Sequence, residues 1–237
     1  MPAEDVTVKA QWKVVNYSIT YDLDGGTVTG NPTSYTVENK ITLNNPTKTG
    51  YTFAGWSGTG ISGTEKAVTI KNATGNREYT ANWTANQYTI TFDTDGGSEI
   101  APITQDYGTD ITAPANPTKE GYTFAGWDEN IPANMPAKNM TIKAKWAINQ
   151  YTVTFKNGDE VVKNAEMDYG STITEPEKPT KEGYTFKGWQ GYTTNMTLPA
   201  HDVTLTEQWT INQYTLTFMN GETVYKTITQ DYGTTIA

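Results

Sequence analysis

Cysteine is absent from the 237 residues. That excludes disulfides, thiolate catalysis and Cys-ligated metal sites, and it suits a cytosolic protein as well as an exported one that folds without oxidation. Basic residues are the minority, 17 Lys and Arg against 26 Asp and Glu, and the net charge is −9. Such a chain repels phosphate backbones and carries no basic stripe, so a nucleic-acid partner is not expected. The acidity also favours solubility on display. Long apolar runs are missing: nothing approaches the roughly 20 residues of a membrane span, and no signal-peptide pattern opens the chain. Membrane insertion is therefore not expected. Sustained helical periodicity is missing too, and Pro102, Pro114, Pro117, Pro132 and Pro136 interrupt most candidate helices. At most a short helical turn is expected near Ser171–Thr174.

What the chain does have is aromatics, 15 Tyr and 7 Trp, in a composition only 35% hydrophobic. A polar chain rich in rings suggests several small cores, each anchored by a few large side chains. Internal repetition agrees. Tyr88, Tyr151 and Tyr214 are spaced by 63 residues, as are Trp83, Trp146 and Trp209. The expected units are 17–83, 88–146 and 151–209. Residues 1–12 match the closing strand of a unit, and 214–237 match the front half of one. Because residues 1–12 read as the interior of a repeat, further chain is expected before them. The first full unit is longer only between Trp56 and Trp83, where a loop or hairpin can grow without touching the core. Four-residue linkers such as Thr84-Ala85-Asn86-Gln87, without a Gly/Ser run, favour an extended semi-rigid rod.

Within a unit, Tyr88, Ile90 and Phe92 alternate with polar residues as a half-buried strand. Asp95-Gly96-Gly97 supplies the positive φ of a tight hairpin turn. A second strand is expected at Ile103–Tyr107, a third at Gly121–Trp127 with Tyr122 and Phe124 on one face, and a last at Met140–Trp146. The fold class is mainly β.

These residues resemble the Listeria–Bacteroides repeat, also known from the B-repeat of listerial internalins. The matching pieces are Pro117-Thr118-Lys119-Glu120-Gly121-Tyr122-Thr123-Phe124-Ala125-Gly126-Trp127, the preceding Asp106-Tyr107-Gly108, and Met135-Pro136-Ala137 leading into the Trp146 strand. They recur at Pro179–Trp189, Asp168-Tyr169-Gly170 and Leu198-Pro199-Ala200. The 17–83 unit keeps Gly50–Trp56 but lacks Asp-Tyr-Gly and Met-Pro-Ala, so its middle is expected to fold differently. The resemblance implies tandem β-grasp-like modules of large surface or secreted bacterial proteins, used as stalks or adhesive segments. It brings no catalytic residues and no cofactor.

The residues themselves offer little chemistry. His201, the sole histidine, sits between Ala200 and Asp202 with no evident catalytic or ligating partner, and reads as a solvated loop residue. Asp22-Leu23-Asp24-Gly25-Gly26 and Asp93-Thr94-Asp95-Gly96-Gly97 resemble a calcium loop but lack its longer ligand series and closing Glu. Later units keep only Asn157-Gly158 and Asn220-Gly221, so a turn is the better reading and no metal is expected. Trp12, Trp83, Trp146 and Trp209, ending last strands, are assigned to the core; for Trp127 packing and partial exposure stand equal. Asn16, Asn72, Asn82, Asn139 and Asn195 open Asn-X-Ser/Thr triplets that a Thr-rich chain produces by chance. A Lys–Asn isopeptide crosslink is a further possibility that sequence cannot place.

The expected function is a non-catalytic stalk or spacer at a bacterial cell surface or outside the cell. The alternative is a module binding a host protein or glycan through exposed loops, above all the Trp56–Trp83 connection. No binding residue is assigned. The expected state is a monomer, or one with weak head-to-tail association through the partial end units.

Overall fold

The computed structural model describes residues 3–236. It separates into two compact bodies. One comprises the chain up to Asp93 with Ala101–Pro114 and Glu129–Ile142; the other comprises Thr94–Ile100, Ala115–Asp128 and the chain from Lys143 on. The described residues contain strands, turns and no helix.

The first repeat shows how a unit is built. Strands β1 (Tyr17–Asp22), β2 (Ser34–Tyr35), β4 (Tyr51–Gly58) and β6 (Arg77–Ala85) form a sheet in the order β2-β1-β6-β4. The two inner strands, first and last in sequence, run parallel, with Ile19 opposite Arg77 and Asp22 opposite Thr80. Both outer pairs are antiparallel. Two further short strands, β3 (Ile41–Thr42) and β5 (Thr69–Ile70), make a separate ribbon. This ribbon is the different middle expected of the first unit. Sole Arg77 ties the enlarged connection down: its Nε donates to Tyr35 Oη at 3.0 Å and its Nη1 to Thr59 O at 3.3 Å.

The same sheet order recurs. In the second repeat β7 (Gln87–Asp93), β8 (Ile103–Asp106), β9 (Tyr122–Trp127) and β10 (Met140–Ile148) are ordered β8-β7-β10-β9. In the third, β11 (Gln150–Asn157), β12 (Glu160–Asp168), β13 (Tyr184–Gln190) and β14 (Val203–Ile211) are ordered β12-β11-β14-β13. A last hairpin joins β15 (Gln213–Asn220) to β16 (Thr223–Asp231). The four strands expected per unit are thus present near their expected places, with the last strand running on past its tryptophan. The helical turn expected at Ser171–Thr174 is absent. Thr172 there forms a β-bridge with Thr197, so its backbone is extended.

Each core lies on one face of its sheet. In the first repeat Ile19, Tyr35, Leu43, Trp56, Val68, Ile70, Tyr79 and Ala81 cluster; in the third, Val153, Phe155, Ile173, Trp189, Leu198 and Leu205 do so. Trp56 is 0% exposed and Trp189 4%. Simple alternation would send this tryptophan to the face opposite Phe53 or Phe186. A β-bulge reverses that: the register slips between Phe53 and Gly55 and between Phe186 and Gly188. Gly55 and Gly188 take φ of 148° and 129°, a region open to glycine. Phe and Trp then share the core face, ring centroids 5.5 and 5.4 Å apart.

The assignment of tryptophans is accordingly corrected. The ring after Phe-X-Gly is the core residue in the first and third repeats, while Trp127 is half-buried. The tryptophans that close the last strand, Trp83, Trp146 and Trp209, are only half-buried, and Trp12 is 92% exposed.

Candidate functional site

Repeats meet at a joint that occurs three times. The expected four-residue linkers shrink to one residue, because strand pairing continues to Ala85 and resumes at Gln87. The Asn86 N–H donates to Gly50 O at 2.9 Å, and Asn86 O accepts from the Tyr107 N–H at 2.8 Å. Thr52 Oγ1 donates to Asn86 Oδ1 at 2.5 Å. Tyr107 comes from the following repeat and packs on Gly50, so that a Cβ at Gly50 would lie only 2.2–2.6 Å from its ring carbons. Gly50 also has φ +80°; space and backbone both demand glycine. The Tyr107 ring packs edge-on against Tyr51 at 5.5 Å and Tyr88 at 6.5 Å.

The second joint repeats this around Asn149, with Gly121 O and the Tyr169 N–H both at 2.9 Å and Thr123 Oγ1 at 2.6 Å. The third does so around Asn212, with Gly183 O at 2.8 Å, the Tyr232 N–H at 2.9 Å and Thr185 Oγ1 at 2.5 Å. Tyr169 covers Gly121 and Tyr232 covers Gly183 in the same way. Each tyrosine belongs to the Asp-Tyr-Gly motif and each glycine opens Gly-Tyr-Thr-Phe-X-Gly-Trp. An aromatic pair contributes about 0.5–1.5 kcal/mol beyond its buried area, so one joint is a specific but modest clasp.

The Asp-Gly-Gly segments adopt the expected turn conformation. Asp24 and Gly25 have φ of 45° and 77°, Asp95 and Gly96 of 50° and 83°, the double positive pattern of a type I′ turn. Neither makes a tight hairpin, however. After the turn Ser98 N donates to Thr118 O, and β8 returns only at Ile103. What holds the corner is tryptophan: Trp83 Nε1 donates to Leu23 O at 3.1 Å and Trp146 Nε1 to Thr94 O at 3.0 Å. A Cβ at Gly26 or Gly97 would lie 2.5 or 2.6 Å from the tryptophan Cζ2. The lysine of Pro-Thr-Lys completes the corner. Lys48 pairs with Asp24 Oδ2 at 3.0 Å and sits 4.4 Å over Tyr51. Lys119 donates to Asp95 O at 2.7 Å and sits 4.6 Å over Tyr122.

The remaining candidates scatter. His201 is exposed and its Nδ1 lies 2.8 Å from Asp202 O. Among the described residues no three His, Cys, Asp or Glu side chains form a group able to hold a metal. Asn139 Oδ1 accepts from Thr89 N at 2.9 Å and Asn82 Nδ2 donates to Gly55 O at 3.1 Å, structural roles for two of the triplet asparagines. Lys163 donates to Thr174 O. Sequence reasoning passed over the joint tyrosines, although the recurrence of Asp-Tyr-Gly in every unit but the first was the available signal. In the first repeat Val37 follows β2 where Tyr107 follows β8, and it is exposed.

This architecture is that of a tandem array of small β-sheet repeats. The family model of the Listeria-Bacteroides repeat domain matches residues 17–84, 88–145 and 151–211, and the chain belongs to that family. A candidate membrane protein of Evansella cellulosilytica is 32% identical over 225 residues, covering 88% of this chain and 34% of that protein. A candidate Gly-rich membrane protein of the same organism is 32% identical over 255 residues, covering 100% and 29%. Internalin H of Listeria monocytogenes is 36% identical over 165 residues, covering 62% and 30%. The chain thus spans about a third of the length of these relatives. Among solved structures, Streptococcal High Identity Repeats in Tandem (SHIRT) domains 3-4 from a cell surface protein match with 21% identity and a TM-score of 0.22, over 54% of this chain and 99% of that one. No helix among the described residues is long and apolar enough to cross a membrane.

Proposed function

We propose that the chain is a non-catalytic spacer segment of a bacterial cell-surface or secreted protein, built of β-grasp-like modules that hold a neighbouring domain away from its anchor. The joint carries this reading. A Tyr-over-Gly clasp, repeated at Gly50, Gly121 and Gly183, restricts bending between successive modules in a way that a flexible linker does not. The sheet order with parallel inner strands supports the β-grasp-like description. The relatives, a candidate membrane protein and an internalin, support the location. The scattered polar residues support a role without catalysis.

Small-angle X-ray scattering tests it. Three modules of about 60 residues, each roughly 25–30 Å across by size scaling, predict a maximum dimension on the order of 80–100 Å or more. Replacing Tyr107, Tyr169 and Tyr232 together by Ala should broaden the distance distribution. A compact profile in the native chain would reject the spacer role.

One observation favours a second, adhesive reading for the first repeat. Its Trp56–Trp83 connection folds into a structure of its own, with Trp56 and Glu65 exchanging backbone hydrogen bonds at 2.8 and 2.9 Å. A surface private to one unit is where a host protein or glycan would bind. Loss of glycan-array or pull-down signal on shortening this connection would support it.

A further inference from the structure

The strand that carries Phe-X-Gly-Trp is outermost in each of the three four-stranded sheets, so one of its edges faces away from the other strands. In the first repeat that edge is filled. β4 pairs with β6 on one side, and on the other a segment of the enlarged connection runs antiparallel to it, bridging Glu65 to Trp56. The Trp56 N–H donates to Glu65 O at 2.8 Å, and the Glu65 N–H donates to Trp56 O at 2.9 Å. The fit is close: a Cβ at Gly55 would lie 3.0 Å from the Glu65 backbone.

The third repeat has the same edge without the segment. Gly188 faces Gln208 and Trp189 faces Glu207, as Gly55 faces Asn82 and Trp56 faces Ala81. With register and bulge shared, the Trp189 N–H and C=O are aimed away from β14 just as those of Trp56 are aimed away from β6. A Cβ at Gly188 would meet nothing within 4 Å. Beside it lies a groove of about 370 Å³, lined by Gly188, Trp189 and Tyr192 and by the exposed side chains of Glu175, Lys178 and Lys187. Trp189 O accepts from the Tyr192 N–H at 3.1 Å and has a second lone pair to offer. A following unit does not close this edge: the second repeat is followed by a complete one, and a Cβ at its Gly126 also meets nothing within 4 Å. The lysine is particular to the third repeat, since Ala54 and Ala125 stand where Lys187 does. The second repeat instead follows its tryptophan with Asp128 and Glu129, where the third has Gln190 and Gly191.

We propose that the open edge of β13 takes an extended acidic peptide of a partner protein as an added antiparallel strand, bonded to the Trp189 N–H and C=O. Strand addition of this kind gains affinity from the main chain and selectivity from neighbouring side chains. The chemistry of the occupant is read from the first repeat, where the residue seated on the equivalent tryptophan is Glu65 on an extended backbone. On the third repeat its carboxylate would meet Lys178 and Lys187, while the acidic surroundings of Trp127 would repel it from the second. The site is independent of the spacer role and of the adhesive surface proposed for the first repeat, whose own edge is already occupied.

The first repeat supplies the probe, a synthetic peptide copying residues 60–68, titrated to millimolar concentration into the full chain labelled with nitrogen-15. Saturable amide shifts are expected at Gly188, Trp189 and Gln190, with slower hydrogen exchange of the Trp189 N–H and no change at Trp56. Methylating the amide nitrogen of the peptide's glutamate should weaken binding by at least about tenfold, because it removes the donor to Trp189 O and sets a methyl against the strand. Lys187→Glu should weaken it a few-fold, as exposed ion pairs do, and a peptide with lysine in place of that glutamate should recover the loss. Lys187 is exposed, so its exchange does not threaten the fold. No shift at these three amides, shifts led by Trp56, or equal binding of the methylated peptide would each overturn the proposal. So would shifts at Trp189 that grow with protein concentration in the absence of peptide, since β13 would then be pairing with its own copy.

Discussion

In the first repeat the chain leaves β1 through Leu23-Asp24-Gly25-Gly26 and pairs with it again only at Ser34, over two residue pairs. In the third, it reverses at Gly158 and runs back along β11 over eight. The two solutions move the stabilising contacts to different places. The first repeat keeps its corner by seating Trp83 over Gly26, bonding it to Leu23 O and laying Lys48 against Asp24 and Tyr51. The third has no such corner: Trp209 Nε1 is enclosed without a hydrogen-bond partner, and Lys181 keeps its place over Tyr184. A longer backbone ladder stands where the tryptophan corner stood. What survives the exchange is the sheet order, the bulge that turns the tryptophan inward, and the joint.

The comparison breaks first at the shared core. Trp56→Ala and Trp189→Ala should each cost about 3–5 kcal/mol, since both remove a fully buried ring. Chemical denaturation followed by fluorescence of the remaining tryptophans would show it, and a loss in only one repeat would mean the cores are not equivalent. Next comes the joint. Gly50→Ala should cost about 1–2 kcal/mol for the left-handed backbone alone, plus displacement of Tyr107. In a cycle with Tyr107→Ala the double variant should cost less than the sum by roughly 0.5–3 kcal/mol, as expected for groups in contact. Additive costs would show that the ring does not press on that glycine.

A smaller effect separates the two corners. Trp146→Phe removes a hydrogen bond to Thr94 O, whereas Trp209→Phe removes none. The former should be the more destabilising by about 1 kcal/mol. The smallest is a pH effect at Tyr21 in the first repeat. Burial, aided by neighbouring Tyr79, pushes the Tyr21 phenol up to about 12. Its neutral form is favoured by the fold, so its contribution is full below the ordinary value near 10 and is lost as pH rises from there to about 12. The first repeat should lose stability over that range. Tyr21→Phe should flatten that loss, at the expense of the 2.8 Å bond to Pro32 O at neutral pH.

Alternation made the strands legible, because a half-buried strand writes its two faces directly into the sequence. Two features escaped that reading. The bulge at Gly55 and Gly188 breaks the period of two just where Trp56 and Trp189 must choose a face, so the tryptophans closing the last strands looked the safer core residues. The joint escaped for another reason. Aligning repeats compares like positions with like, whereas the joint brings together unlike ones, Gly50 with Tyr107 and Gly121 with Tyr169, across unit boundaries. The turn chemistry of Asp-Gly-Gly was plain, but its use as a seat for a distant tryptophan was not, since the space it leaves is filled by Trp83 and Trp146 from far along the chain.

The joint also sets rules of interchange. The second and third repeats each carry a glycine seat just before their third strand and a tyrosine plug just after their second, so either can follow or precede a unit of its own kind. Excising residues 88–150 would bring Tyr169 to the Gly50 seat and leave every remaining clasp with both halves. The first repeat is different: it offers the seat but has Val37 in the plug's position. Array length can therefore change by whole units of the second and third kind without redesign of any contact, while the first repeat fits without loss only at the head of such a series.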